Sequence, residues 1–488
     1  MDSLNALDEI EMMLGIYREK VLFMWGYLPG LTPNKLPLLA PFMWRTPPTL
    51  TGDRWMDVCG GGCGFAMAIS VSGKVLTWGS TPNDGQSHIA SGNHETPQII
   101  SLLENIPIIK GACGWAHCVT ITDHGEVYAW GWKECVPFGK LISDGPDWVD
   151  TIIMDPNAFS TSENFLSQNQ FFSLGGQDDP GSCSGSYLSQ NRNQPEYGSE
   201  YNIFDCNSKK RRILEEPTKT EVEYSSAIPC LVSLGSNVQI MEVAAGGRHV
   251  LALSDFGKVW GWGYGGEGQL GLGFRITSVS APQLIPCFKI GESSTPLNMN
   301  SENMIGSIGR NVKTIACGGR HSAVITDTGA LLTFGWGLHG QCGHGGTDDE
   351  LSPKCVSSIL GLQMKGVAAG LWHTICTSLE GGSLFAFGGN GFGQLGIGSF
   401  ESQTVPMLVD APSVQSIDAK IVSCGARHNA ITSADGKVFC WGWNKYGQLG
   451  LGDIIDRSSP CEVPINGFFV KKASCGWWHT LVIAESCQ

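Results

Sequence analysis

One short pattern returns along this chain at nearly constant spacing, and it limits the possible folds more than any other feature. Its clearest copy reads Ile315-Ala-Cys-Gly-Gly-Arg-His321-Ser-Ala-Val-Ile-Thr-Asp-Thr-Gly329-Ala-Leu-Leu-Thr-Phe334-Gly335. A small residue and a glycine precede a histidine, a glycine follows eight residues later, and an aromatic-glycine pair closes the unit. His117, His249, His321, His373, His428 and His479 hold the histidine position, and Phe65 takes it in the first copy. Four of the six intervals are 51–55 residues; the exceptions, 132 and 72, contain one repeat plus insertions of about 80 and 20 residues. Periods of this size belong to propellers and solenoids.

The interior of the repeat decides between those two. After the histidine the pattern alternates, as in Lys437-Val438-Phe439-Cys440-Trp441, and Asp-Gly or Ser-Gly steps break it into hairpins. A glycine loop follows: Gly268-Gln269-Leu270-Gly271, Gly393-Gln394-Leu395-Gly396, Gly447-Gln448-Leu449-Gly450 and the variant Gly340-Gln341-Cys342-Gly343. Pro97, Pro229, Pro282, Pro353, Pro406 and Pro460 are each read as opening the next strand. About four short strands per period make one propeller blade. The last copy stops at Gln488, before its aromatic-glycine strand, and the missing half stands at Val21-Leu-Phe-Met-Trp25-Gly26. The reading is all-β: a single seven-bladed β-propeller over 16–488, after an extension of 1–15. Its ring closes by pairing the N-terminal strand with the blade of His479, which leaves no open sheet edge there.

Residues 139–225 lose the repeat. The stretch 156–208 is rich in Ser, Asn, Gln and Gly, a composition that buries too little apolar surface to offset the entropy of ordering. A disordered insertion is expected. Within it lies Lys209-Lys210-Arg211-Arg212, the densest basic run, which suits a nuclear localisation signal in an accessible loop. A second polar insertion covers about 291–310.

Composition narrows the functional classes. The net charge of −14 argues against wholesale or sequence-specific nucleic-acid binding, which needs a basic face. No apolar run reaches the roughly 18 residues of a membrane span. Asp2, Asp8 and Glu9 sit where a signal peptide would be basic and apolar, so the expected compartment is the nucleus or cytosol. The 18 cysteines are then reduced thiols rather than a disulfide framework.

The repeat also absorbs most residues that look chemical. A catalytic or metal-binding histidine is needed once, whereas six here share one register; buried imidazoles bonded to backbone groups are expected. Cys113, Cys317, Cys424 and Cys475 share a register with Ala245 and Ala369 and read as small apolar fillers. Cys59 and Cys63 lack the second pair a zinc site requires. Gly261-Trp-Gly263-Tyr-Gly265-Gly266 matches a dinucleotide fingerprint, but no helix follows to receive a phosphate. No cofactor, metal or catalytic centre is expected.

The Gly-x-x-His strand, the turn glycine, Trp-Gly and Gly-Gln-Leu-Gly together resemble the regulator-of-chromosome-condensation repeat, outside 139–225. The resemblance implies a non-catalytic nuclear protein, associated with chromatin, that binds histones or other basic proteins on an acidic face. Asp348, Asp349 and Glu350, after Thr347, are candidate contacts. Similarity to plant stress-tolerance members implies a role in gene expression under stress. An alternative from the same family is nucleotide exchange on a Ran-like small GTPase, although this N-terminus is acidic where that member's is basic. A second alternative is ultraviolet-B reception, which in the family depends on Gly-Trp-Arg-His-Thr motifs in three successive blades. Here the residues two before the histidine are Trp115, Gly247, Gly319, Leu371, Ala426 and Trp477, so only two tryptophans remain, in blades that are not consecutive.

Overall fold

The computed structural model describes residues 19–28, 36–44, 50–79 and 94–141 except 51, 63 and 138, then 228–287 except 236, and 309–487 except 416. The chain divides into one unit of 1–154 with 225–488 and another of 155–224; every described residue belongs to the first. The Lys209–Arg212 run, Cys63 and nearly all of both insertions lie outside the described residues.

Seven antiparallel sheets follow one another, one per repeat. Blade 3 shows the pattern: Ile240–Ala245 innermost, then His249–Ser254, Val259–Gly265 and, at the rim, Ile276–Leu284. Blades 1, 2, 4, 5 and 6 are built on the inner strands Trp55–Gly60, Ile108–Cys113, Val312–Cys317, Met364–Ala369 and Ala419–Cys424. Blade 7 joins the two ends of the chain. Lys20–Gly26 pairs with His479–Ser486, setting Trp25 against Thr480 and Gly26 against His479. Leu38–Trp44 then forms its outer strand. The closure expected from the split repeat is therefore present.

Second strands such as His321–Thr326 are buried at all six positions, not alternately. Each lies between two neighbouring blades, so both of its faces are interior. One apolar cluster fills each of the seven junctions. Trp78, Trp130, Trp262 and Trp441 are fully buried in these clusters, as repeat packing requires.

Two expectations need correction. Five of the six repeat prolines lie within the outer strands rather than opening them, as Pro97 does in His94–Ile99, Pro353 in Glu350–Cys355 and Pro406 in Gln403–Leu408, whereas Pro229 opens Cys230–Val232 as expected. An outer strand has one solvent edge, where a missing N–H is harmless and discourages pairing with another chain. Gly139–Leu141, which the sequence reading assigns to the insertion, is a strand paired with Cys230–Val232, giving blade 2 a fifth strand.

The histidines do more than pack, and they do not bond to backbone through both nitrogens. His249 Nε2 lies 2.9 Å from Ser322 Oγ in the next blade, and Ser322 Oγ donates to the carbonyl of Gln269, back in the glycine loop of blade 3. Because the hydroxyl proton goes to that carbonyl, the imidazole must donate through Nε2. The same relay runs from His321 through Thr374 to Gln341, from His373 through Asn429 to Gln394, and from His428 through Thr480 to Gln448. Nδ1 has no partner in any of these four. Burial pushes all six rings down, to about 4 for His117 and His373 and about 3 for the others. All six are neutral, and the four that carry a relay are struts between blades. The glycine three residues before each is required by proximity: a Cβ on Gly318 would lie 2.5 Å from the carbonyl oxygen of Gly370 and 2.5 Å from the His321 ring.

Candidate partner-binding face

Antiparallel order puts the Gly-x-x-His turns and, in blades 3 to 6, the glycine loops that follow the third strand on the same side of the blade. Two registers project there: the residue before the histidine, and the residue after the aromatic-glycine pair, where the strand ends and the side chain leaves the core. The first supplies Arg248, Arg320, Trp372, Arg427 and Trp478; the second supplies Trp132, Tyr264, Trp336, Trp443 and Tyr27. Nearly all are half-buried.

These side chains touch one another across blades. The Arg248 guanidinium lies 4.5 Å from the Tyr264 ring and 5.4 Å from Trp132, and it forms a bidentate pair with Glu134, Nε donating to Oε2 at 2.8 Å and Nη2 to Oε1 at 2.5 Å. Arg320 sits over Trp336 and pairs with Glu267. His339 bridges Trp336 and Trp372, with centroid distances of 5.2 and 5.0 Å. Arg427 is caged by Trp372, Phe392 and Trp443 at 4.5, 4.6 and 5.4 Å, and burial pushes its pKa down from the ordinary arginine value. Trp443 then meets Tyr446, which meets Tyr27 and Trp478. Cation–π contact and ring stacking hold rigid aromatic surface at low entropy, the composition of interface hot spots. Around this belt the loops expose Phe274, Leu338, Phe400, Ile454 and Ile455.

Trp115 and Trp477 were expected to stand apart. Their ring centroids are 4.3 Å apart, and Trp115 also meets Trp478 edge-on at 6.0 Å. Blade 1 lies between them, but its turn carries Gly61-Gly62. A Cβ on Gly62 would fall 2.7 Å from Trp115 and 3.0 Å from Trp477, so the absent side chain lets the two indoles meet.

Thr347-Asp348-Asp349-Glu350 lies on the same side. Asp349 accepts the Gly337 N–H and pairs with Arg275 at 2.7 Å, and Glu350 pairs with Lys354. Ser402 and Asp456 accept backbone N–H groups in the same register, so Asp349 closes its own loop. Asp348 remains exposed.

The sequence reading did not single out the belt. Its signal was available: Trp132, Tyr264, Trp336 and Trp443 share one repeat register, and Arg248, Arg320 and Arg427 another. The strand pattern counts inward-facing residues and passes over the first one beyond the strand.

The central channel, a cavity of about 260 Å³, is lined by inner strands, including Cys59, Cys113, Cys317, Cys424 and Cys475. Burial pushes these thiols up, so they are poor nucleophiles and ligands. Gly261–Gly265 is part of a strand and no helix follows it.

A family model for the RCC1-like domain matches residues 204–482. The ultraviolet-B receptor UVR8 of Arabidopsis thaliana is 28% identical over 426 residues, covering 87% of this chain and 73% of the receptor. The human E3 ubiquitin-protein ligase HERC2 is 31% identical over 54% of this chain, which spans 5% of that ligase. A crystal structure of Prp20p from Saccharomyces cerevisiae, described with its binding to Gsp1p and histones, superimposes with a TM-score of 0.64 at 19% identity, covering 96% of this chain and 92% of Prp20p.

Proposed function

The chain belongs to the RCC1-like domain family, and from that premise we propose a non-catalytic nuclear interaction protein that holds a basic partner, such as a histone, at chromatin. The observation that carries this reading is the aromatic–arginine belt. It is a rigid, half-exposed surface continuous across blades, and the core does not need it. The binding of Prp20p to histones supports the same class of partner.

The insertion is a second source of negative charge beside the expected acidic blade face. Residues 142–227 contain fourteen acidic and six basic side chains, so more than half of the net charge of −14 belongs to the insertion. The reading therefore assigns attraction of a basic partner to the insertion and its anchoring to the belt. Asp348 is a peripheral contact, and Lys209, Lys210, Arg211 and Arg212 direct nuclear entry. A role in stress-responsive gene expression would follow from such retention.

Affinity capture from nuclear extract tests this, comparing the full chain with one lacking 139–225 and with a Trp372→Ala/Trp443→Ala variant. Histones should be retained by the full chain, released by salt, and held less by each variant. Capture of cytosolic proteins alone would sink the nuclear reading.

The tryptophan contact favours one second reading, ultraviolet reception. Trp115, Trp477 and Trp478 pack closely enough to couple electronically. That reading requires an ultraviolet-dependent change of oligomeric state, abolished by Trp115→Phe.

A further inference from the structure

The inter-blade relay is not continuous around the ring. It requires a histidine in one blade and a hydroxyl or amide at the following position of the next. Ser322, Thr374, Asn429 and Thr480 meet this condition and tie blades 3 to 7 into one arc. At the three remaining junctions it fails. Ala66 stands opposite His479, Phe65 replaces the histidine of blade 1, and Val250 stands opposite His117. His117 and His479 are fully buried, yet neither ring nitrogen meets a side-chain partner among the described residues. Trp78 Nε1 at the blade 7–blade 1 junction also has no partner among the described residues, whereas its equivalents Trp25 and Trp441 donate to glutamine carbonyls of the preceding loop.

The outer two of these junctions have ion pairs but no relay, whereas inside the arc the pairs Arg320–Glu267 and Lys365–Asp418 stand beside relays. Lys472 of blade 7 pairs with buried Asp57 of blade 1, and Arg248 of blade 3 with buried Glu134 of blade 2. The desolvation cost of a buried ion pair offsets much of its Coulombic attraction, so such a pair fastens a junction less than its charges suggest.

We propose that blades 1 and 2 form an adjustable sector of the ring, able to loosen against the locked arc of blades 3–7. Val250, Ala66 and Phe65 are the residues that withhold the relay. The long insertion leaves and re-enters the ring within this sector, between Gly139–Leu141 and Cys230–Val232. Whatever engages the insertion therefore acts on the part of the propeller with the weakest lateral fastening. The proposal rests on the junctions alone and is independent of which partner binds.

One substitution can restore a relay. Trp262 Nε1 donates to the carbonyl of Cys135 at 2.9 Å, as Trp441 does to that of Gln394. Cys135 thus supplies the acceptor that the glutamine loop supplies elsewhere. Val250→Thr keeps the volume and places a hydroxyl where it can accept from His117 and donate to Cys135.

Hydrogen exchange by mass spectrometry on the full chain tests the proposal. Amides of the inner and second strands of blades 1 and 2 should exchange roughly tenfold or more faster than those of blades 4 to 6, as expected where about one net buried hydrogen bond is missing. Val250→Thr should slow exchange at His117–Thr122 and Ile240–Ala245 and raise the melting temperature. Thr374→Val, which cuts a relay, should speed exchange at the blade 4–blade 5 junction. Equal protection around the wild-type ring overturns the proposal, as does a Val250→Thr chain that exchanges unchanged or melts lower.

Discussion

At the residue scale, six histidines that resemble catalytic groups are buried and neutral, and four of them brace one blade against the next. Their rings titrate at about 3 to 4 when folded and at about 6.5 when unfolded. Between those values the unfolded chain binds more protons, so stability is complete above the unfolded value and falls as the pH drops toward the folded values. Denaturant titrations at several pH values should show proton uptake on unfolding that approaches six near pH 5 from these rings. Stability that stays flat from pH 7 to pH 5 would contradict their burial. Ser322→Ala leaves both the His249 donor and the Gln269 carbonyl without their bridge. It should lower the unfolding free energy by about 1–3 kcal/mol in urea melts. Repetition alone revealed that these histidines are structural. The partner could not be read from it, because Ser322, Thr374, Asn429 and Thr480 differ in type and lie about one repeat away from the ring they serve.

At the element scale, strand content and blade count were legible because the glycine, histidine and aromatic positions recur in order. The role of the prolines was not. A sequence shows that proline avoids a ladder but not which strand edge faces water, and Pro353 and Pro406 sit within outer strands. The belt escaped for a related reason: Trp336 and Trp443 follow strand-ending glycines, where inward and outward positions no longer alternate. Lys20–Gly26 is the element on which closure depends, since it supplies Trp25 to the core and pairs along its whole length with His479–Ser486. A chain beginning after Gly26 should expose two strand edges and elute as aggregates in size-exclusion chromatography. A monomer with an unchanged melting temperature would show that closure is dispensable.

At the scale of the whole molecule, the blades supply rigid geometry and the insertion supplies most of the charge. The strand pair Gly139–Leu141 with Cys230–Val232 ties the insertion's ends together, so replacing 142–227 by a short linker should shift the melting temperature by only a few degrees. The same deletion should remove much of the electrostatic attraction for a basic partner. The proposed function depends on these two contributions being separable. Fluorescence anisotropy with purified core histones, over a salt series, compares the full chain, the chain without 142–227, and Trp372→Ala/Trp443→Ala. The account predicts saturable binding by the full chain, loss of the salt dependence on deletion, and weakening at every salt concentration for the belt variant. Absence of histone binding by the full chain at low salt, alongside accelerated nucleotide release from a Ran-like GTPase, would contradict it.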